Sequence, residues 1–265
     1  MNQEQQHTRR EEQEQATRGE EIVLKERQET KPARVLKPVS LVPYKPRRID
    51  SRVVSFDYYD AFNYSTLSGE QKNLHMTLGV TSANPNEGKT HVASNLAVSL
   101  ALAHEKKTVL VDLNIRRPRL DGIFGVPQGP GLIEAIKGGD IKVWPTQVEN
   151  LFVFPAGGGN GSGYPPDQRQ HDLKRPKGRP SMRLNQLTEF RDVLFSLEQE
   201  YDFIVVDVPA INGREFPILY AGQLEGLLVV IDSKRTKKKD LDKMFRVVNE
   251  KQVMGFVFNR FRDED

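Results

Sequence analysis

The chain has 265 residues, with 39 Lys and Arg against 36 Asp and Glu and a net charge of +3. So small a charge implies neither nucleic acid nor a membrane by itself, and the lack of cysteine excludes disulfides and thiolate metal sites. No apolar run approaches the ~20 residues that span a bilayer, and the Gln/Glu/Arg-rich start is no secretory signal. The expectation is a cytoplasmic protein, recruited to the inner face of the membrane only by a partner.

Residues 1–55 read as a disordered tail. The first part, MNQEQQHTRREEQEQATRGEE, is too polar to offset its chain entropy by burial. Residues 31–48, KPARVLKPVSLVPYKPRR, carry spaced prolines that favour extended backbone. Basic and apolar residues interleave there, as in a segment that docks on an acidic partner or membrane surface. The composition suits a solvated linker better. Residues 56–67, FDYYDAFNYSTL, are a weak helix candidate leading into a domain that spans 56–265.

From His75 onward apolar, β-rich runs alternate with helical stretches. The runs are 76–80, 108–113, 151–154, 203–208, 227–231 and 255–258. After the first run, Val92, Leu96 and Leu100 share one helix face, with Ala93, Ala97 and Ala101 beside it. Leu187, Phe190, Leu194 and Leu197 repeat at helical spacing before the fourth. Continuous apolar strands separated by helices imply an α/β fold, a parallel sheet with helices on both faces. Ligands of such sheets sit beyond the carboxyl ends of the strands. Residues 156–183 interrupt the pattern: Gly-rich, then basic and Pro-bearing, they read as a flexible surface insertion or a lid over the site.

The stretch SANPNEGKT, 82–90, lies between the first run and its helix. That context makes it a phosphate-binding loop of the Walker A kind. Gly88 lets the backbone turn close to a phosphate. The first amides of the following helix lack intrahelical acceptors and point at the anion. Asn84, Pro85, Asn86, Glu87, Gly88, Lys89, Thr90 and His91 are therefore the candidate nucleotide-binding residues. Lys89 reaches the β- and γ-phosphates, and the Thr90 hydroxyl binds Mg²⁺.

Asp112 and Asp207 each end an apolar run, TVLVD and FIVVD. A carboxylate there is costly to bury unpaired and calls for a metal or cation nearby. Either alone could instead cap a helix or form a turn. Arg116 could stabilise phosphoryl charge, as could Arg117. An exposed Arg-Arg-Pro turn is the alternative. No His/Cys/carboxylate cluster has metal-ligand spacing.

Taken together, SANPNEGKTHVASNLAVSLA, TVLVDLNIRRPRLDGIFG, GPGLIEAI, LFVFPAG, EYDFIVVDVPA, EGLLVVID and VMGFVFNRF resemble the bacterial tyrosine autokinases of capsule and exopolysaccharide systems, relatives of the ParA/MinD ATPases. The resemblance implies a P-loop NTPase fold and Mg-ATP as cofactor. It also implies autophosphorylation on tyrosine and stimulation by a membrane protein of the polysaccharide co-polymerase type. Lys89 and Thr90 match its Walker A positions. Asp112 matches the first acid of its Asp-x-Asp-x-Arg motif and Asp207 its Walker B acid. Asn259 matches a position that in ParA/MinD relatives contacts the adenine.

The chain also departs from that pattern. Asn114 replaces the second acid of Asp-x-Asp-x-Arg. The family's Glu-x-x-Arg-x-x-Arg oligomerisation helix falls on Asp60, Asn63 and Thr66, so self-association lacks its arginines. The last tyrosine is Tyr220, so no C-terminal tyrosine cluster follows. Ala83 and Asn84 stand where ParA/MinD proteins carry their signature lysine. Three functions follow as expectations. One is an autokinase-like ATP-binding protein of exopolysaccharide export, with Lys89, Asp112 and Arg116 catalytic and Thr90, Asp112 and Asp207 holding the metal. Another is a catalytically weak, nucleotide-dependent adaptor for a membrane partner. The last is a ParA/MinD-like ATPase. No nucleic-acid partner is expected.

Overall fold

The computed structural model describes residues 35–46, 48–54, 76–103, 105–158, 186–213 and 217–261. The expected helix at 56–67, the start of the tail and most of the 156–183 insertion lie outside them.

Eight strands form one sheet: β1 (Val39–Leu41), β2 (Met76–Ser82), β3 (Thr108–Asp112), β4 (Ile141–Pro145), β5 (Leu151–Phe154), β6 (Phe203–Asp207), β7 (Gly226–Asp232) and β8 (Val253–Asn259). Their order is β1-β4-β5-β3-β6-β2-β7-β8. Every pair is parallel except β4–β5, which are joined by a short turn. The helices are α1 (Lys89–Ala103), α2 (Leu120–Phe124), α3 (Leu132–Ile136), α4 (Leu187–Glu198), α5 (Pro217–Ala221) and α6 (Lys238–Phe245).

The uninterrupted apolar strands have both faces to cover, and the alternation of side chains splits the core in two. Leu78, Val80, Leu110, Val205, Leu228 and Val230 face α1 and α2. Val109, Val111, Ile204, Val206, Leu227 and Val229 face α3, α4, α5 and α6. This is the P-loop NTPase fold, with helices on both sides of a mostly parallel sheet. α1 is buried from Val92 through Val98, all round rather than along one stripe. Its alanines allow that close approach, with Ala93, Ala97 and Ala101 wholly buried.

The expected tail boundary at residue 55 is corrected. Residues 36–46 and 48–54 run along the domain. β1 pairs with β4 in register Val39↔Ile141 to Leu41↔Val143, and Val42 N donates to Val143 O at 3.0 Å. Lys37 Nζ donates to Ala135 O at 2.6 Å, and the Lys37 amide donates to Ser196 Oγ at 2.9 Å. Tyr44 meets Trp144 edge-to-face at 5.5 Å, and its hydroxyl donates to Gly125 O. Val54 is buried, and Asn95 Nδ2 of α1 donates to Val53 O at 2.8 Å. The prolines that suggested a linker permit an edge strand, the position where a missing N–H does least harm.

The start of the 156–183 insertion is likewise fixed. Gly158 N donates to Glu134 Oε1 and Gly131 N to Glu134 Oε2, both at 2.8 Å, so one carboxylate ties the end of β5 to the start of α3.

Candidate nucleotide site

β2 enters the sheet centre between β6 and β7 and delivers the loop beyond its carboxyl end, followed directly by α1. Asn86 and Gly88 take positive φ, 66° and 97°. Asparagine and glycine are the residues that tolerate this. At Gly88 space also decides, because a Cβ would collide with the side-chain amide of Asn259. Pro85 and Asn86 are exposed, Asn84 is half-buried and His91 is exposed on the first turn of α1, its carbonyl accepting from Asn95 Nδ2. Lys89 is buried beneath the loop.

The Glu87 side chain points inward. Its carboxylate accepts from Asn84 N at 2.9 Å, Asn84 Nδ2 at 3.2 Å and Thr236 Oγ1 at 2.6 Å. It braces the loop from within, and only its backbone is left for a phosphate. Asn259 is also turned to the loop: Nδ2 donates to Glu87 O and Oδ1 accepts from Arg260 N, both at 2.9 Å. The Asn259 side chain, expected to contact an adenine, thus also braces the loop through one of its N–H groups. Arg260 adds a second clamp, donating to Asn86 O at 3.2 Å while pairing with the buried Asp232 carboxylate. Thr236 Oγ1 accepts in turn from Asp232 N at 2.9 Å. Sequence reasoning missed Arg260, Asp232 and Thr236, whose only signal is the end of an apolar run.

Beneath the loop, Thr90 Oγ1 donates to Asp207 Oδ2 at 2.7 Å, and Asp207 Oδ1 is buried with no hydrogen-bond partner. A buried carboxylate oxygen left open beside a Walker A hydroxyl fits a water-rich Mg²⁺ site. Among the described residues no three His, Cys, Asp or Glu gather as metal ligands.

Asp112 lies beside Asp207 in the β3–β6 register. Its Oδ1 accepts from Asn114 N at 3.0 Å, and its Oδ2 from Arg119 N at 3.0 Å and Leu120 N at 3.2 Å. The carboxylate thus caps the first turn of α2, the alternative role that its position at a strand end allowed. Burial, and then the charge of Asp207, raise its affinity for a proton. Burial raises that of Asp207 too, less strongly, because Thr90, Lys89 and Arg119 favour its charged form. Arg116 and Arg117 are exposed on the turn that Arg117 N closes onto Asn114 O at 3.0 Å. Arg119, not singled out from the sequence, is the arginine of this stretch whose charge stabilises Asp207.

Fold and loop define a P-loop nucleotide-binding architecture, and no protein-family profile matches the chain. The chain is similar to CapB of Staphylococcus aureus, 28% identical over 229 residues that cover 84% of this chain and 86% of that one. It is similar to the tyrosine-protein kinase CpsD of Streptococcus pneumoniae serotype 4, 28% identical over 211 residues, 77% of this chain and 83% of that one. With the succinoglycan biosynthesis transport protein ExoP of Rhizobium meliloti it shares 27% over 202 residues, which are 73% of this chain but only 23% of ExoP. Among solved structures, the VpsO kinase domain superposes with a TM-score of 0.61 at 24% identity, covering 77% of this chain and 93% of that one. The kinase domain of Escherichia coli tyrosine kinase ETK gives 0.56 at 20% identity, covering 76% and 74%. The cell division ATPase MinD of Pyrococcus furiosus gives 0.52 at 20%, covering 72% and 75%. The chain is a divergent relative of bacterial tyrosine-protein kinases, built on the fold they share with MinD.

Proposed function

We propose that the chain binds Mg-ATP at residues 83–90 and acts as an autokinase-like phosphotransferase in exopolysaccharide or capsule export. The observation that carries the reading is the Thr90–Asp207 pair with its open carboxylate oxygen under a braced phosphate loop. A bound Mg²⁺ would neutralise charge on the β- and γ-phosphoryl oxygens. The chain's own part is positional. The amides around Gly88 would cradle phosphate, Lys89 would offer a buried cation, and Thr90 and Asp207 would hold the metal. Asp112 orients the turn that carries Arg119. It can take a proton only through an oxygen that already accepts backbone N–H. The membrane partner would be of the co-polymerase type, and the chain would work at the inner face of the membrane. No helix among the described residues is long and apolar enough to cross it.

A second reading, a nucleotide-switched adaptor with weak or no turnover, is favoured by a specific observation. Asp112 is spent on capping, and Asn114 beside it cannot supply the charge of the second acid. Incubation of the full chain with labelled ATP and Mg²⁺, scoring phosphotyrosine and free phosphate separately, decides between them. Phosphotyrosine supports the kinase. Tight Mg-ATP binding with neither product supports the adaptor. Free phosphate alone supports the ParA/MinD-like ATPase. Absence of nucleotide binding overturns all three.

A further inference from the structure

The face formed by α6 and β8 carries a chemistry that the nucleotide site does not use. Residues 234–261 hold nine Lys and Arg against three acids, Asp240, Asp242 and Glu250, in a chain whose total charge is only +3. Among these cations three phenylalanines face solvent: Phe256 is 48% exposed, Phe258 63% and Phe261 66%. β8 ends the sheet order, so no described strand pairs with its outer side.

The register puts rings and cations side by side. Ser233 N donates to Asn259 O at 3.0 Å, so the exposed Lys234 and Arg235 adjoin the end of β8 that carries Phe258 and Phe261. Further along, Phe256 meets Phe245 edge-to-face at 6.2 Å, next to the exposed Arg246. Phenylalanine has no polar tip to satisfy in water, and exposed rings grouped on one edge mark a surface that meets something. A second copy of the same face would oppose like charges. A single-stranded nucleic acid would need a groove that tracks its backbone, and this is an outer sheet edge. An anionic bilayer satisfies both components: rings enter the headgroup–acyl boundary while Lys and Arg stay with the phosphates.

We propose that the α6–β8 edge docks directly on an anionic lipid surface. The proposal does not rest on the kinase reading and would hold for an inactive chain. The test is co-sedimentation of the full chain with vesicles of phosphatidylcholine, with and without phosphatidylglycerol. Binding is expected only when phosphatidylglycerol is present, and it should fall as salt is raised. The double substitution Phe258→Ser/Phe261→Ser should weaken partitioning by about tenfold or more, from the apolar area withdrawn from the interface. Lys234→Glu/Arg235→Glu should weaken it comparably. All four positions are exposed, and an unchanged melting temperature would certify that the variants are folded. Failure to bind phosphatidylglycerol vesicles overturns the proposal. So does binding that the phenylalanine substitutions leave unchanged, since any basic surface would show that. If vesicles do not compete with a single-stranded RNA oligonucleotide whose binding requires Phe258 and Phe261, the occupant is nucleic acid and the proposal falls.

Discussion

Thr90 and Asp207, 117 residues apart in sequence, meet at 2.7 Å beneath the phosphate loop, and the second oxygen of Asp207 is left without a protein partner. The same carboxylate therefore orients the hydroxyl and offers a site for a hydrated cation. Asp207→Asn keeps an acceptor for Thr90 but removes the charge. Nucleotide should then bind almost equally in Mg²⁺ and in EDTA, whereas the unmodified chain should prefer Mg²⁺ by about tenfold or more. Calorimetry under the two conditions checks this.

Lys89→Ala removes a buried cation facing the phosphates. Mg-ATP affinity should fall by about one to two orders of magnitude with little change in melting temperature. Unchanged affinity would mean that residues 83–90 do not bind phosphate.

The Asp207 carboxyl is pushed up to about 6, chiefly by burial. Its folded-state affinity for a proton exceeds its unfolded value, so its favourable contribution to stability is full below ~4 and is lost as pH rises through 6. A cation competes with that proton. Mg²⁺ binding should therefore strengthen from pH 5 to pH 7, and the melting-temperature gain on adding Mg-ATP should grow over the same interval. A gain that shrank with rising pH would contradict this protonation scheme.

Asp112 separates capping from catalysis. Asp112→Ala strips the acceptor from the Asn114 amide in the turn after β3 and from the Arg119 and Leu120 amides at the start of α2, a loss of about 1–3 kcal/mol that relief of its repulsion with Asp207 partly offsets. The melting temperature should drop with no nucleotide present. A purely catalytic residue would leave the ligand-free protein unchanged.

Arg260→Ala frees Asn86 O and leaves Asp232 Oδ2 without its cation, while Asp232 Oδ1 still accepts from Lys234 N. Nucleotide affinity should decline by about threefold to tenfold, read by titration, because the loop must be ordered at the ligand's expense. Asn259→Ala should act in the same direction, and the double substitution should be less than additive, since both residues act on adjoining loop carbonyls.

Much of this site was legible because its signals are local. The strand before Ser82, the glycine at 88 and the acid closing FIVVD each carry their meaning within a few residues. The parallel sheet followed from apolar runs with no polar alternation. What escaped the sequence is long-range or inverted. Glu87 looks like part of a phosphate loop, yet its carboxylate faces inward because Thr236, 149 residues away, meets it there. Asp112 resembles a metal ligand, but the chain turns back and gives it three amides. Residues 31–48 read as linker because of their spaced prolines and interleaved basic residues. Their pairing depends on an open edge at β4 that no local pattern announces.

The clamp by Asn259 and Arg260 has a consequence for how the protein is made. The carbonyl of Glu87 is held by a side chain 172 residues further along. At a synthesis rate of roughly 5–20 residues per second, the loop waits on the order of ten to thirty seconds on the ribosome before its brace exists. For the first part of that interval, until residues 203–232 have been made, β2 also lacks both of its neighbours, β6 and β7. A nascent chain stalled before Val253 would carry every residue of the phosphate-binding motif and still have it unfastened. ATP added to such stalled chains would probe the motif without its fastening, and release of the last strand would mark the moment the site matures.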